Sequence, residues 1–272
     1  MLFVEGGADP VSDQAIGLFD SGVGGLSVFQ ELARQLPDEN VVYFADTLHM
    51  PYGSRSPEEL CQLVFAILGF LARQNVKLVI MACNTSSALT LELARQHFPM
   101  PILGMIQPTA EALATGGRSR LGVIGTEATI RSNKYQDELQ KAGFSGDVYS
   151  QACPGLASLI ESGADEGRLQ QAIGQCLESL KQVRVEKLVL GCTHYPFASN
   201  LIKATLDGSA ELVNPATFVV REAKQLLAEM HLLRSAGSQV GHLFYTSGSA
   251  TQFEWRAALL MGHEMQARQV FF

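Results

Sequence analysis

Short apolar runs of strand character alternate with stretches of helical period along almost the whole chain, and this alternation restricts the fold more than any other feature. Runs at 15–20, 41–45, 77–82, 101–105, 121–125, 147–151, 186–191, 211–213 and 243–245 read as strands. Amphipathic stretches such as 26–36, 57–73 and 167–181 lie between them. Several runs are apolar at every position, as parallel strands covered on both faces must be. The pattern predicts an α/β protein with doubly wound parallel sheets.

The chain also echoes itself. KLVIMACNT (77–85) resembles EKLVLGCTH (186–194), and IGLFDSG (16–22) more faintly resembles LGVIGTE (121–127). Cys83 and Cys192 are 109 residues apart, and the strand starts Ile16 and Leu121 are 105 apart. Apolar strands can look alike by chance, but chance does not readily repeat the cysteine. Two related half-chains predict two similar α/β domains related by pseudo-symmetry. The expected division is 15–105 with 214–272, then 106–213, with 1–14 as a loose tail. Ligands bind at the carboxyl ends of strands in open α/β sheets, so a cleft between the halves would carry one thiol on each wall.

Composition narrows the function classes. The 272 residues hold 20 Lys and Arg against 27 Asp and Glu, a net charge of −7, which argues against a nucleic-acid partner. The longest strongly apolar run, 63–72, is too short to span a bilayer, and the first ten residues lack the basic start of a signal peptide. Five cysteines without CxxC or Cys/His clustering predict neither a disulfide framework nor a metal site. A cytoplasmic protein with reduced thiols is the expectation.

Cys83 and Cys192 each stand where a strand stops, followed by Asn84, Thr85 and Ser86 or by Thr193 and His194. Such residues cap helices, and a thiol at a positive helix end has its pKa lowered toward neutrality, becoming a usable base or nucleophile. The plainer reading, cysteine as a small buried hydrophobe, fits Cys61, Cys176 and Cys153. The segment DSGVGG (20–25) opens a helix after the first strand, where its N–H groups could cradle a carboxylate or phosphate. Its glycine spacing does not match a dinucleotide fingerprint, and alone it is no more than a tight turn. PYGSRS (51–56) is either a loop closing over a small ligand or a plain turn. No strand-end lysine offers itself for a pyridoxal site.

Taken together, DSGVGG (20–25), YFADTLHMPYGSRS (43–56), ACNTSSA (82–88), GVIGTEATI (122–130), ACP with downstream Glu161, and GCTHYP (191–196) closely resemble the glutamate racemase family. That family is a branch of the cofactor-independent aspartate and glutamate racemases. The resemblance runs in order from Ile16 to about Phe253. It implies an isomerase without cofactor or metal that interconverts L- and D-glutamate and supplies D-glutamate for peptidoglycan. It further implies a homodimer. Carried over by position, Cys83 and Cys192 are the two catalytic thiols, assisted by Asp20, His194 and Glu161. Cys83 would serve the D-isomer and Cys192 the L-isomer. Substrate contacts would come from Asp20, Ser21, Tyr52, Gly53, Asn84, Thr85, Thr193 and His194. The sequence departs from the family's common pattern at Ile106-Gln107-Pro108 and Asn214-Pro215, neither a catalytic position. Other readings are a racemase of aspartate or another acidic amino acid, a thiol hydrolase using Cys192 with His194, and a non-catalytic binding protein.

Overall fold

The computed structural model describes residues 11–271. Among the described residues ten strands run in chain order as β1 (Ile16–Asp20), β2 (Val41–Ala45), β3 (Leu78–Met81), β4 (Ile102–Gly104), β5 (Arg120–Gly125), β6 (Asp147–Ala152), β7 (Lys187–Gly191), β8 (Glu211–Val213), β9 (His242–Thr246) and β10 (Arg268–Gln269). They form a six-stranded sheet in the order β10-β9-β2-β1-β3-β4 and a four-stranded sheet in the order β6-β5-β7-β8. Every pairing is parallel.

The orders β2-β1-β3-β4 and β6-β5-β7-β8 are the same, offset by four strands. The sequence echo therefore has a structural counterpart: β1 corresponds to β5, and β3 to β7. Cys83 follows the end of β3 and Cys192 the end of β7, so the two thiols occupy equivalent places in two α/β domains. β1, β2 and β3 are buried at every residue, as parallel strands covered by helices on both faces must be. Apolar clusters lie on both faces of each sheet.

The chain passes between the halves after β4, through the helix Ile106–Ala114, and returns after β8 through the helix Pro215–Glu229. Asn214 caps the second helix, its side-chain oxygen accepting the Ala216 N–H at 3.1 Å. Asparagine is among the strongest N-cap residues. Residues 1–10 of the expected tail lie outside the described residues. Residues 11–14 form a packed turn, with Ser12 buried and its carbonyl accepting from Lys77 Nζ.

One expectation about the cysteines is overturned. Cys153 and Cys176 are joined in a disulfide, while Cys61, Cys83 and Cys192 are free. Cys153 follows β6, and Cys176 lies on the helix Glu166–Gln182 that packs on this strand, with a Cα–Cα separation of 5.3 Å. That separation is within the ordinary disulfide range. The two cysteines are 23 positions apart in the chain, a spacing that carries no local sign of the link.

Candidate active site

The carboxyl ends of the two sheets meet around a small cavity of about 40 Å³, room for a few water molecules. Ser21, Tyr52, Gly53, Cys83, Asn84, Thr85, Cys192, Thr193 and His194 line it, as do Met50, Pro51, Thr126, Ala157, Ser158 and Gly191. Nine of the eleven anticipated site residues are therefore on its wall. Asp20 and Glu161 stand behind it, each hydrogen-bonded to a lining residue. Pockets that take small molecules are usually several hundred Å³, so admitting a ligand requires the two walls to part.

On the first wall, Cys83 is itself the residue before the helix Asn84–Leu89, and Asn84 and Thr85 form that helix's first turn. The Tyr135 hydroxyl, from the opposite half, donates to Asn84 Oδ1 at 2.7 Å. This leaves Asn84 Nδ2 buried without a hydrogen-bond partner among the described residues. Thr85 Oγ1 lies 2.9 Å from Thr126 Oγ1 and 3.2 Å from Thr129 Oγ1, a cluster of hydroxyls bridging the halves. The Tyr52 ring lines the cavity, but its hydroxyl is committed to Asp46 at 2.6 Å.

On the second wall, Cys192 Sγ is 3.7 Å from His194 Nδ1, and His194 Nε2 is 2.7 Å from Glu161 Oε2. Cys192 is followed by the short 3₁₀ turn Tyr195–Ala198, and the helix Ser199–Thr205 begins only behind that turn. Asp20 reaches across from β1: its Oδ2 accepts the Gly25 N–H at 2.8 Å and the Thr193 hydroxyl at 3.2 Å. Its Oδ1 is buried without a hydrogen-bond partner among the described residues. Ser27 ties the same loops together, donating to the Thr193 carbonyl at 2.8 Å.

A family model described as Asp/Glu/Hydantoin racemase matches residues 16–223. The chain belongs to this racemase family. It is 40% identical over 257 residues to a glutamate racemase of Desulforudis audaxviator, covering 92% of this chain and 94% of that protein. A glutamate racemase isoform from Bacillus anthracis superposes with a TM-score of 0.91 at 35% identity, covering 95% of this chain and 98% of that one. The Francisella tularensis glutamate racemase, solved in complex with D-glutamate, gives 0.87 at 30% identity, with the same coverage. As a member of this racemase family the chain is an isomerase.

Within this racemase framework the electrostatics correct the first expectation for the thiols. Burial, reinforced by the negative charge of Asp20, pushes the Cys83 thiol up to about 11, not down. Cys83 is enclosed and faces a carboxylate, and those terms outweigh the end of a six-residue helix. The helper on the other wall is charged instead. Burial opposes protonation of His194, but contacts with Cys192 and Glu161 outweigh it and raise the imidazole to about 10. At neutral pH His194 is an imidazolium beside the Cys192 sulfur.

The DSGVGG loop also differs from its anticipated use. Its Gly25 N–H serves Asp20, not a ligand. A Cβ on Gly24 would sit 2.5 Å from His194 Nδ1 and 2.6 Å from Thr193 Oγ1, so this glycine lets the first wall close on the second. Sequence reasoning missed Tyr135, Thr126, Thr129 and Arg256. Thr126 and Thr129 lie within the GVIGTEATI segment, where Thr126 caps a helix by accepting the Thr129 N–H. Tyr135 and Arg256 carried no local signal. Lys77, the buried lysine that might suggest an imine, is at the amino end of β3, away from the site and paired with Glu39 at 2.6 Å.

Proposed function

We propose that the chain is a glutamate racemase that moves the α-proton between two faces with Cys83 and Cys192 as the paired acid and base. The observation that carries this reading is the placement of two free thiols at equivalent strand ends on opposite walls of one cavity. Racemisation removes a proton from one face of Cα and returns one to the other, so a resting pair needs one charged and one neutral sulfur. Cys83, raised to about 11, rests as a thiol. The His194 imidazolium stabilises negative charge on Cys192, with Glu161 holding the ring from behind. In this scheme the Cys83 thiol gives the proton when L-glutamate is consumed, and Cys192 is the group that accepts one. The opposite sense begins from the swapped protonation state.

The Cα–H of a free amino acid is a weak acid, and stabilising the charge that develops is most of the task. The unpartnered Asn84 amide and the threonine hydroxyls are suited to the carboxylate side. The unpartnered Asp20 Oδ1 is suited to the ammonium group or to the Cys83 proton. Ser21 and the Tyr52–Gly53 segment complete the first wall. No cofactor enters this scheme, because the thiols exchange protons directly with Cα. The domain boundaries follow the same reading, with 15–105 and 214–272 forming one domain and 106–213 the other. The protein acts in the cytoplasm as a homodimer and feeds D-glutamate to peptidoglycan synthesis. Among the described residues no helix is long and apolar enough to cross a membrane.

Incubation of the purified protein with L-glutamate, followed by circular dichroism and chiral chromatography, tests the reading. Equal amounts of both enantiomers are expected without added cofactor. Absence of D-glutamate overturns the reading, and faster turnover of L-aspartate makes the enzyme an aspartate racemase.

A further inference from the structure

The helix Ala250–Met261 follows β9, and its Phe253 and Ala257 are buried in the core against the first sheet. Arg256, between them, reaches out of that core. Its Nη1 donates to Glu161 Oε1 at 2.7 Å, and Glu161 belongs to the second half, at the end of the helix Leu156–Glu161. The other oxygen of the same carboxylate, Oε2, takes His194 Nε2, and His194 Nδ1 faces the Cys192 sulfur. An unbroken line thus runs from the C-terminal helix to the second thiol.

The two oxygens of a carboxylate turn together, so a guanidinium fixed on Oε1 determines where Oε2 lies. Glu161 is only 2% exposed, and without Arg256 its Oε1 would be a buried acceptor with no partner. This separates the contact from exposed surface ion pairs, which contribute little. We propose that Arg256 is a positioning residue for the second thiol: it holds the Glu161 carboxylate in the orientation that turns His194 Nδ1 toward Cys192. The inference rests on the racemase reading and adds a part supplied by the opposite domain. Cys192 is set for proton transfer only while the C-terminal helix is seated against Glu161.

The test measures Arg256→Gln and Arg256→Lys by racemisation and, separately, by the rates at which chloroacetamide alkylates Cys192, Cys83 and Cys61 in the full chain, read by peptide mass spectrometry. Alkylation tracks thiolate, and Cys61 reports reagent chemistry far from the site. Arg256→Gln is expected to lower kcat about tenfold, the scale of one charged hydrogen bond. It should also slow Cys192 alkylation several-fold relative to Cys61, with Cys83 unchanged. Arg256→Lys keeps the charge but loses the guanidinium fork, and about a threefold loss confined to Cys192 is expected. If Arg256→Gln does not fold, Arg256→Lys alone decides. An unchanged Cys192 rate, or parallel changes at Cys83 and Cys192, overturns the proposal. A wild-type protein that fails to racemise overturns the functional reading instead, and the alkylation rates still judge Arg256.

Discussion

The hydroxyl of Tyr135 donates to Asn84 Oδ1 across the interdomain cleft at 2.7 Å, which fixes which end of the amide remains free. Asn84 Nδ2 is then a buried donor awaiting an acceptor. Tyr135→Phe keeps the ring in its buried place and removes only that anchor. We expect kcat/KM to fall about tenfold in both directions and the thermal midpoint to drop by a few degrees, because Asn84 Oδ1 is left a buried acceptor without its partner. Steady-state racemisation from each enantiomer checks this, and unchanged kinetics would show that the Asn84 amide does not need orienting.

Gly24 sets how closely the walls approach. A methyl group there would stand 2.5 Å from His194 Nδ1, so Gly24→Ala should displace the imidazole, cost about 1–3 kcal/mol of stability and abolish most activity. Gly174, inside the helix Glu166–Gln182, has open space where its Cβ would be. Gly174→Ala should instead stabilise the protein by up to about 1 kcal/mol without affecting racemisation. Denaturant midpoints and rates for the two variants form the comparison.

His194 makes stability depend on alkaline pH. Its folded-state pKa is raised from the ordinary 6.5 to about 10, so the protonated ring stabilises the fold fully below pH 6.5. That contribution is lost as pH climbs toward 10. Cys83, raised from 9.0 to about 11, acts in the same sense in the interval above. The thermal midpoint of the wild type should fall steadily from pH 7 to 10, and His194→Asn should flatten the decline. A wild-type midpoint independent of pH across this range would contradict the Cys192–His194–Glu161 arrangement.

The Cys153–Cys176 bond ties the segment that follows β6 to the helix Glu166–Gln182. Labelling the denatured, unreduced protein with iodoacetamide should modify Cys61, Cys83 and Cys192 only. Cys176→Ser should lower stability by about 2–4 kcal/mol, the usual contribution of a disulfide closing a loop of moderate length. Modification of all five cysteines would show that the two thiols are unlinked.

Much of the architecture is written locally. Strand and helix periods placed β1 to β9 within a residue or two, and the repeated strand–cysteine text identified the two thiols and the pairing of the halves. β10 was missed because Arg268 and Gln269 are exposed and polar, with no apolar alternation to mark them. Tyr135 and Arg256 act through contacts 51 and 95 residues away in the chain, and such contacts leave no spacing to read. The upward direction of the Cys83 shift is not legible in the sequence for a related reason. The helix that follows Cys83 was visible in the sequence, whereas its complete burial beside Asp20 exists only once β1 and β3 lie side by side.

The claim on which the rest depends is that both thiols are needed, one for each face of Cα. Cys83→Ala and Cys192→Ala, each checked for a native circular dichroism spectrum, should be assayed from L- and from D-glutamate alongside Cys61→Ala. Positioned acid–base groups contribute about 10²–10⁴-fold each, so either strand-end variant should lose at least a hundredfold in both directions. Cys61→Ala should retain nearly full activity. Substantial racemisation by a folded Cys83→Ala or Cys192→Ala protein would contradict the two-thiol mechanism.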